Sequence, residues 1–398
     1  MMGNNLSRRD FLQSSALGAS ALALGASGTA RGYSANEKAA IGFIGVGGRG
    51  THLLTLVVEH CTDARVAAIC DLIPEKIERG KKIAERDKPV GYTDFRKMMD
   101  DEKLDGIVIA TQPNKHAEVV VPVLEAGFHC YAEKPMDTTV GRVDAIVAAA
   151  RKARKDKGVI YQIGTQRRYH PGYLPGIKAI HDGKIGEVTF IQGHWHWPWA
   201  VGGAKVERDA GRLVEQSSHH TDVAAWAMKD QHPLRCVGMA FAQPRHPEGP
   251  NVYTETHSST SWEFPGGIIF SYTHLFYLPR HFKDEKIWVF GTGGGVDLVH
   301  GMHYRYQPPN VKEGADPGTR VGIDSGEDWD LGTADGLQDF VANIKTGAKR
   351  MPNANVETGR ISTLMCLMGR MAAVNEAKNR YEPRLIEWKD IGTTTDIA

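Results

Sequence analysis

Only five cysteines occur in the 398 residues, and no two of them stand in a Cys-x-x-Cys spacing. Cys61, Cys70, Cys130, Cys236 and Cys366 fall mostly in apolar strand-like or helical runs, so buried thiols are expected rather than a disulfide framework. An excess of charge is missing too, with 48 Lys and Arg against 47 Asp and Glu. Setting aside residues 1–30, which hold Arg8, Arg9 and Asp10, leaves 46 of each (48 − 2 and 47 − 1). Such a balance gives no electrostatic footprint for nucleic acid or an anionic membrane surface. There is no Gly-x-Ser-x-Gly elbow, no P-loop, no zinc-finger spacing and no internal repeat. The apolar run Ser14 to Ala26 is too short, and too rich in Gly, Ala and Ser, for a stable membrane span.

That run has a different reading. Ser7-Arg8-Arg9-Asp10-Phe11-Leu12-Gln13 precedes it and small residues near Gly28-Thr29-Ala30 follow, the order of an export signal. Paired arginines before Phe-Leu resemble a twin-arginine signal, a route that carries folded proteins. Residues 1–35 are therefore set apart as a signal and linker, and a periplasmic or otherwise exported location is expected.

The most informative stretch is Ile41-Gly42-Phe43-Ile44-Gly45-Val46-Gly47-Gly48-Arg49-Gly50. An apolar run ends in Gly45-x-Gly47-x-x-Gly50 and passes into the helical pattern Thr51 to Val58. A second β-like run, Arg65 to Cys70, ends at Asp71, 21 residues beyond Gly50. Gly45 allows a tight turn, Gly47 leaves room for a pyrophosphate, and Gly50 lets helix approach strand. The helix N-terminus, opened by Gly48 and Arg49, offers free N–H groups to phosphates. Asp71 is spaced to bind a ribose 2′-hydroxyl, favouring NAD over NADP; Arg49 is close enough in sequence to keep NADP in play.

From Ala39 to about Arg154 strands and helices alternate, as a doubly wound parallel sheet requires. Leu104 to Ala110 is a buried strand leading into Thr111-Gln112-Pro113-Asn114-Lys115-His116, and Phe128 to Ala132 leads into Glu133-Lys134-Pro135. The ligand crevice of such a sheet lies at those C-terminal strand ends. After Gly164 long alternating or aromatic runs (186–197, 235–242, 260–274, 286–299) suggest a mixed, mostly antiparallel sheet. Helices are expected at Gly211–Met228, Thr333–Lys345 and Val356–Lys378, and a surface loop over Pro308–Asp330. The fold expected is an α/β Rossmann domain (36–158) plus an α+β domain with a large mixed sheet (159–398). The closing helix, 356–378, could pack on either.

In the order Gly45-x-Gly47-x-x-Gly50, Thr111-x-Pro113-Asn114-x-His116, Glu133-Lys134-Pro135, Gly164-Thr165-Gln166-Arg167-Arg168-Tyr169, Gly183-Lys184-Ile185-Gly186 and Gly211-x-Leu213-x-Glu215-x-x-x-His219-x-x-Asp222, the chain resembles the Gfo/Idh/MocA oxidoreductases. The resemblance implies NAD-dependent hydride transfer on a sugar or polyol, a catalytic lysine at Lys134, an unusual peptide bond before Pro135, and a catalytic histidine at His219. It also implies dimers or tetramers formed through the open face of the second sheet. Where the family usually has Asp one turn before the histidine, this chain has Glu215, which leaves that carboxylate's role open.

The residues support this independently. A lysine at a buried strand end has its pKa lowered and can move a proton near neutrality. Glu215, His219 and Asp222 share one helix face, and imidazole is the natural group for acid–base work near pH 7. Arg167, Arg168 and Tyr169 offer donors to hydroxyls, with a domain-interface role the alternative. On a strand His194 and His196 share one face and Trp195 and Trp197 the other; the histidines are candidate sugar contacts, the tryptophans core or interface. His194 and His196 could also meet His219, His220 or Glu215 around a metal, although no spacing demands one and none is expected. His220 points away and is read as structural.

An exported dehydrogenase cannot easily exchange free NAD, so a tightly held cofactor is expected. Two other readings stay open: an NAD-dependent glycosidase using transient oxidation, for which the Tyr-Pro-Thr-His element is missing, and a non-catalytic NAD- or sugar-binding protein, for which Lys134 and His219 would be superfluous.

Overall fold

The computed structural model describes residues 37–198, 207–241, 255–307, 318–324, 330–375 and 380–391. The expected export segment lies outside these, as does most of the expected 308–330 loop.

Six parallel strands form the first sheet: β1 (Ala39–Ile44), β2 (Ala64–Cys70), β3 (Val90–Tyr92), β4 (Gly106–Ile109), β5 (His129–Ala132) and β6 (Tyr161–Ile163). Their order is β3-β2-β1-β4-β5-β6. The order in which strands are added reverses between β1 and β4, so the connections leave their C-terminal ends on opposite faces and open a switch point, the place where such sheets bind ligands. β1 and β4 are buried throughout, as strands covered on both faces must be. Helix Gly48–His60 lays Leu53, Leu54, Leu56 and Val57 on one face of the sheet. On that same side Leu337, Phe340 and Ile344 of helix Asp330–Lys345 complete the cluster with Ile41, Phe43 and Val108. Each such buried side chain contributes about 1.5–3 kcal/mol. Gly106 is the contact point, where a Cβ would stand 3.1 Å from the Phe340 ring. A helix from the far end of the chain is thus part of the first layer. Likewise β6 lies past residue 158, so the parallel sheet runs beyond the boundary that alternation suggested.

The second sheet has nine strands. In chain order they are β7 (Val188–Trp197), β8 (Arg235–Phe241), β9 (His257–Phe264), β10 (Ile268–Phe276), β11 (Asp284–Gly291), β12 (Gly294–Asp297), β13 (Met302–Arg305) and β14 (Thr319–Arg320). The short pair β15 (Val374–Asn375) and β16 (Arg380–Tyr381) forms its own ribbon, and β17 (Leu385–Glu387) closes the order β14-β13-β12-β11-β7-β10-β9-β8-β17. Among the described residues of this sheet, only β7 and β10 pair parallel. Two of the long runs, 260–274 and 286–299, each hold a hairpin turn. Pro265-Gly266-Gly267 turns β9 into β10, with both glycines at positive φ (85° and 77°), and the glycines after Phe290 turn β11 into β12.

Two helices cover the inward face of this sheet. Glu207–Ala227 has a break at Gly211 (φ 70°, ψ 153°), a conformation open to glycine. Val356–Ala373 starts at a capping box in which Asn355 accepts from Glu357 N and Thr358 N. Expected to reach residue 378, it stops at Ala373 because the Arg384 guanidinium takes the carbonyls of Met371 and Val374, and Val374 turns extended to pair with Tyr381. The helix touches both layers. Met136 N donates to Thr363 Oγ1 (3.1 Å), while Trp262 Nε1 of β9 donates to Met365 O (3.1 Å). All five cysteines are buried free thiols. No helix among the described residues is long and apolar enough to cross a membrane.

Candidate active site

The glycine loop at the end of β1 is shaped by contacts that tolerate no side chain. Gly45 sits at φ +83°, where a Cβ would come 2.8 Å from Ala110 O, and a Cβ on Gly50 would stand 1.9 Å from Gly45 O. Gly47 and Gly48 are the opposite case, with nothing within 4 Å of a Cβ. Two residues closed to side chains therefore frame two that are open, over the N-terminus of helix Gly48–His60. That is a cradle for phosphate against backbone.

Asp71 braces this loop as well as facing it. Its carboxylate accepts from Val46 N (2.9 Å) and from Ile73 N (3.0 Å), with Lys76 Nζ at 3.7 Å. After β4, the Thr111 hydroxyl is buried with no partner among the described residues. Pro113 opens a short 3₁₀ turn, and Asn114 O accepts from Arg142 (2.6 Å). His116, which sequence reading placed on the cofactor, is fully buried and ties two loops: Nδ1 lies 2.8 Å from Pro135 O and Nε2 3.3 Å from Thr111 O. Burial pushes its imidazole below the usual range against the pull of these two carbonyls; a neutral ring donates to only one of them, so it is a buried packing residue behind the crevice. Glu133 accepts from Arg49 Nε (2.8 Å) and lies against Gly164, where a Cβ would meet its carboxylate at 2.9 Å. Arg49 also reaches Thr333 Oγ1 (3.4 Å). Its charge is thereby turned to Glu133 and away from Asp71.

The peptide Lys134–Pro135 is cis. Lys134, partly exposed at the strand end, donates from Nζ to the backbone carbonyl of Glu215 at 3.0 Å. This bond joins the first sheet's crevice to helix Glu207–Ala227. Burial lowers the Lys134 ammonium, with the neighbouring carboxylates of Glu215 and Glu133 opposing. Glu215 is raised by burial, against Lys134 and Arg212, and its Oε2 is buried without a partner among the described residues. One turn on, His219 is held well below the usual imidazole range by burial and then by the positive charges of Lys134 and Arg167. Its ring lies flat against Trp195, centroids 5.5 Å apart and planes 21° off parallel. The site therefore gathers a depressed lysine, a raised carboxyl and a neutral imidazole around one crevice. Opposed shifts of this kind are the pattern of acid–base chemistry.

Several expected substrate contacts are placed elsewhere. Arg168 is fully buried, with Nε on both oxygens of Asp222 (2.9 and 3.0 Å) and NH2 on Asp230 (2.6 Å). Arg168 and Asp222 are each other's partners, which removes both from substrate binding and corrects the sequence reading. Tyr169 is also structural; its hydroxyl accepts from Ala354 N (3.3 Å) and its ring packs on Gly336. His194 and His196 stack on each other (4.4 Å) and bond to Asp284 (2.9 Å) and Thr273 (2.9 Å) on the sheet's outward face. The alternation of the strand puts Trp195 on the inward side and so excludes both histidines from the crevice. Nor can these two join His219 around a metal, and among the described residues no three His, Cys, Asp or Glu side chains gather as a metal-holding group. Arg167 stays close to the crevice, paired with Glu285 in a short contact and bonded to Tyr173 OH (3.1 Å).

Trp195 and Glu285 were missed as site residues. Glu285 had a visible signal. It shares the inward phase of β11 with Ile287 and Val289, a carboxylate where alternation calls for an apolar side chain. His220, read as structural, is buried 3.6 Å from Glu285.

Comparison with known proteins agrees with this arrangement. A family model described as an oxidoreductase family with an NAD-binding Rossmann fold, Gfo/Idh/MocA, matches residues 39–163, and the Gfo/Idh/MocA C-terminal domain matches residues 177–297. Inositol 2-dehydrogenase of Salmonella paratyphi B is 26% identical over 192 residues, covering 48% of this chain and 55% of that protein. The match thus spans about half the length of that relative. Inositol 2-dehydrogenase/D-chiro-inositol 3-dehydrogenase of Lactiplantibacillus plantarum is 25% identical over 260 residues, 65% of this chain and 71% of that one. Among solved structures, scyllo-inositol dehydrogenase of Lactobacillus casei with bound NAD(H) and scyllo-inositol superposes with a TM-score of 0.71 at 18% identity, covering 88% of this chain and 99% of that one. With both of its layers matched in order, the chain belongs to the Gfo/Idh/MocA oxidoreductases, an NAD-binding Rossmann domain followed by that family's C-terminal domain.

Proposed function

We propose that this protein is an NAD-dependent dehydrogenase of a sugar or polyol, with His219 as the general base and Lys134 and Glu215 as the groups that hold the reacting oxygen. The observation that carries this reading is the meeting of Lys134 and the Glu215–His219 helix turn at the open end of the first sheet. The cradle over Gly47 and Gly48 and the orphaned Thr111 hydroxyl fit a dinucleotide, with Asp71 beside the loop. When bound, NAD supplies the acceptor for a carbinol hydride. His219 has no hydrogen-bond partner among the described residues and is uncharged near neutrality, so it can take the hydroxyl proton. Lys134 keeps one donor on the Glu215 carbonyl and turns the rest to the oxygen, favouring the alkoxide as it forms. The Glu215 carboxyl, whose Oε2 has no partner among the described residues, can accept from a neighbouring hydroxyl.

The inositol dehydrogenases among its relatives favour a polyhydroxylated ring as substrate. The outward face of the second sheet exposes Val237, Met239 and Phe241 of β8, consistent with a homodimer or homotetramer formed there. The arginine pair near the N-terminus supports export after folding, and with it a cofactor carried in the folded protein.

The test is to purify the protein after export, denature it and assay the released dinucleotide, then to follow absorbance near 340 nm over a panel of inositols and aldoses. Stoichiometric NAD(H) together with turnover on a polyol supports the reading. Glycoside cleavage without net absorbance change would replace it with a hydrolase, and ligand stabilisation without turnover with a binding protein.

A further inference from the structure

We propose that Trp195 is a positioning residue that fixes the plane of the His219 imidazole, and that the buried Arg167–Glu285 pair anchors the indole. The inference rests on the reading of His219 as the base. The Trp195 indole is 8% exposed and lies nearly parallel to His219, with centroids 5.5 Å apart. The Arg167 guanidinium carbon stands 5.7 Å from the same indole, within reach of a cation–π attraction. The rings of Trp197 at 5.6 Å and His220 at 5.9 Å also lie against it. The indole N–H has no partner among the described residues, so these ring contacts set where the indole lies.

Arg167 is itself immobilised. Glu285 pairs with it from β11, Tyr173 OH accepts from its Nε at 3.1 Å, and all three are buried. A guanidinium held this way cannot swing out into water, so its field acts steadily on the crevice. The groups facing His219 are Lys134 from the end of β5, Arg49 from the glycine loop, Arg167 from the turn after β6, and His220 on its own helix, with Glu215 one turn before it. Burial first, and then the cations among these groups, keep it a neutral base. Glu285 touches Arg167 and His220 and offsets part of that positive charge. A stacked, neutral ring presents one nitrogen edge to the crevice in one orientation, which is the preorganisation a proton acceptor needs.

The test uses full-length protein with labelled histidines, following ring signals by NMR across pH and assigning His219 by its loss in His219→Gln. Stacking on an indole displaces the His219 ring protons upfield. That displacement should vanish in Trp195→Leu and largely survive in Trp195→Phe. In Arg167→Met/Glu285→Gln, which takes the Arg167 cation from beside the ring, the His219 titration midpoint should rise. Should the double variant fail to fold, the Trp195 pair carries the test. Unchanged ring-proton positions in Trp195→Leu, or an unmoved midpoint in a folded double variant, overturns the inference. Full NAD-dependent turnover by His219→Gln would instead overturn the role of His219 as base, a separate failure that these spectra do not depend on.

Discussion

Lys134 bonds to the backbone carbonyl of Glu215 at 3.0 Å, so the tie between the two layers of the site is independent of which side chain stands at position 215. The side chain there is free to change chemistry while the lysine keeps its place.

Substitution at 215 should therefore separate activity from architecture. Glu215→Asp withdraws the carboxylate by one methylene and Glu215→Gln removes its charge. Both are expected to lower kcat by about 10²-fold or more while the melting temperature stays within about 1 °C, because neither touches the Lys134 bond. Lys134→Met removes the donor itself and should cost both activity and some stability. Initial rates near 340 nm and thermal melts of the three variants check this.

The glycine loop makes a paired prediction. A methyl on Gly50 would collide with Gly45 O at 1.9 Å, whereas one on Gly47 meets nothing within 4 Å. Gly50→Ala should destabilise by about 1–3 kcal/mol through forced backbone movement. Gly47→Ala should fold as well as the parent yet bind NAD about tenfold more weakly, since it fills space left for phosphate. Urea unfolding and calorimetric titration with NAD distinguish the two effects. Equal NAD affinity in Gly47→Ala and the parent would place the dinucleotide elsewhere.

Arg168 and Asp222 should behave as structural residues. Removing one partner leaves a buried charge uncompensated, which costs about 3–5 kcal/mol. Arg168→Met is expected to lose that much stability, with the KM of whatever protein folds unchanged. A large rise in KM at unchanged stability would return Arg168 to the substrate site.

Acid should unfold the protein early. Burial holds His116, His219, His220 and His274 below the usual imidazole value, His274 at about 3. Below about pH 6.5 the unfolded chain binds protons at these positions and the native state does not, so stability falls as pH falls. Each histidine contributes about 1.4 kcal/mol per pH unit from there down to its own folded value. Chemical denaturation between pH 7.5 and 4.5 should show this steep loss; a flat profile over pH 6.5 to 5 would contradict the burial of neutral imidazoles.

The first layer and the glycine loop were readable from residue order because their requirements are local. Gly45 needs positive φ, Gly50 needs the absence of a Cβ, and β1 and β4 need apolar side chains on both faces; each demand is met within a few residues. Lys134 was readable for the same reason, sitting where a buried strand ends. The hairpins at Pro265-Gly266-Gly267 and after Phe290 were also local, and attention to their glycines would have found them. For His194 and His196, alternation put both on one face, but nothing nearby says which face meets the helix.

What the sequence by itself determined, then, is the Rossmann order, the phosphate cradle and the residue types at the crevice, since all three follow from backbone geometry and short-range period. Only the tertiary structure decided which charged residues serve the site and which serve the fold. Arg167 and Arg168 are neighbours in the chain, yet one meets Glu285 beside the crevice and the other Asp222 behind it. A buried cation needs a partner wherever it lies, and these partners stand 118 and 54 residues away. The same distance rule brought Trp195 from a sheet strand onto His219 of a helix, a contact set by how the helix crosses the sheet and by nothing in either segment alone.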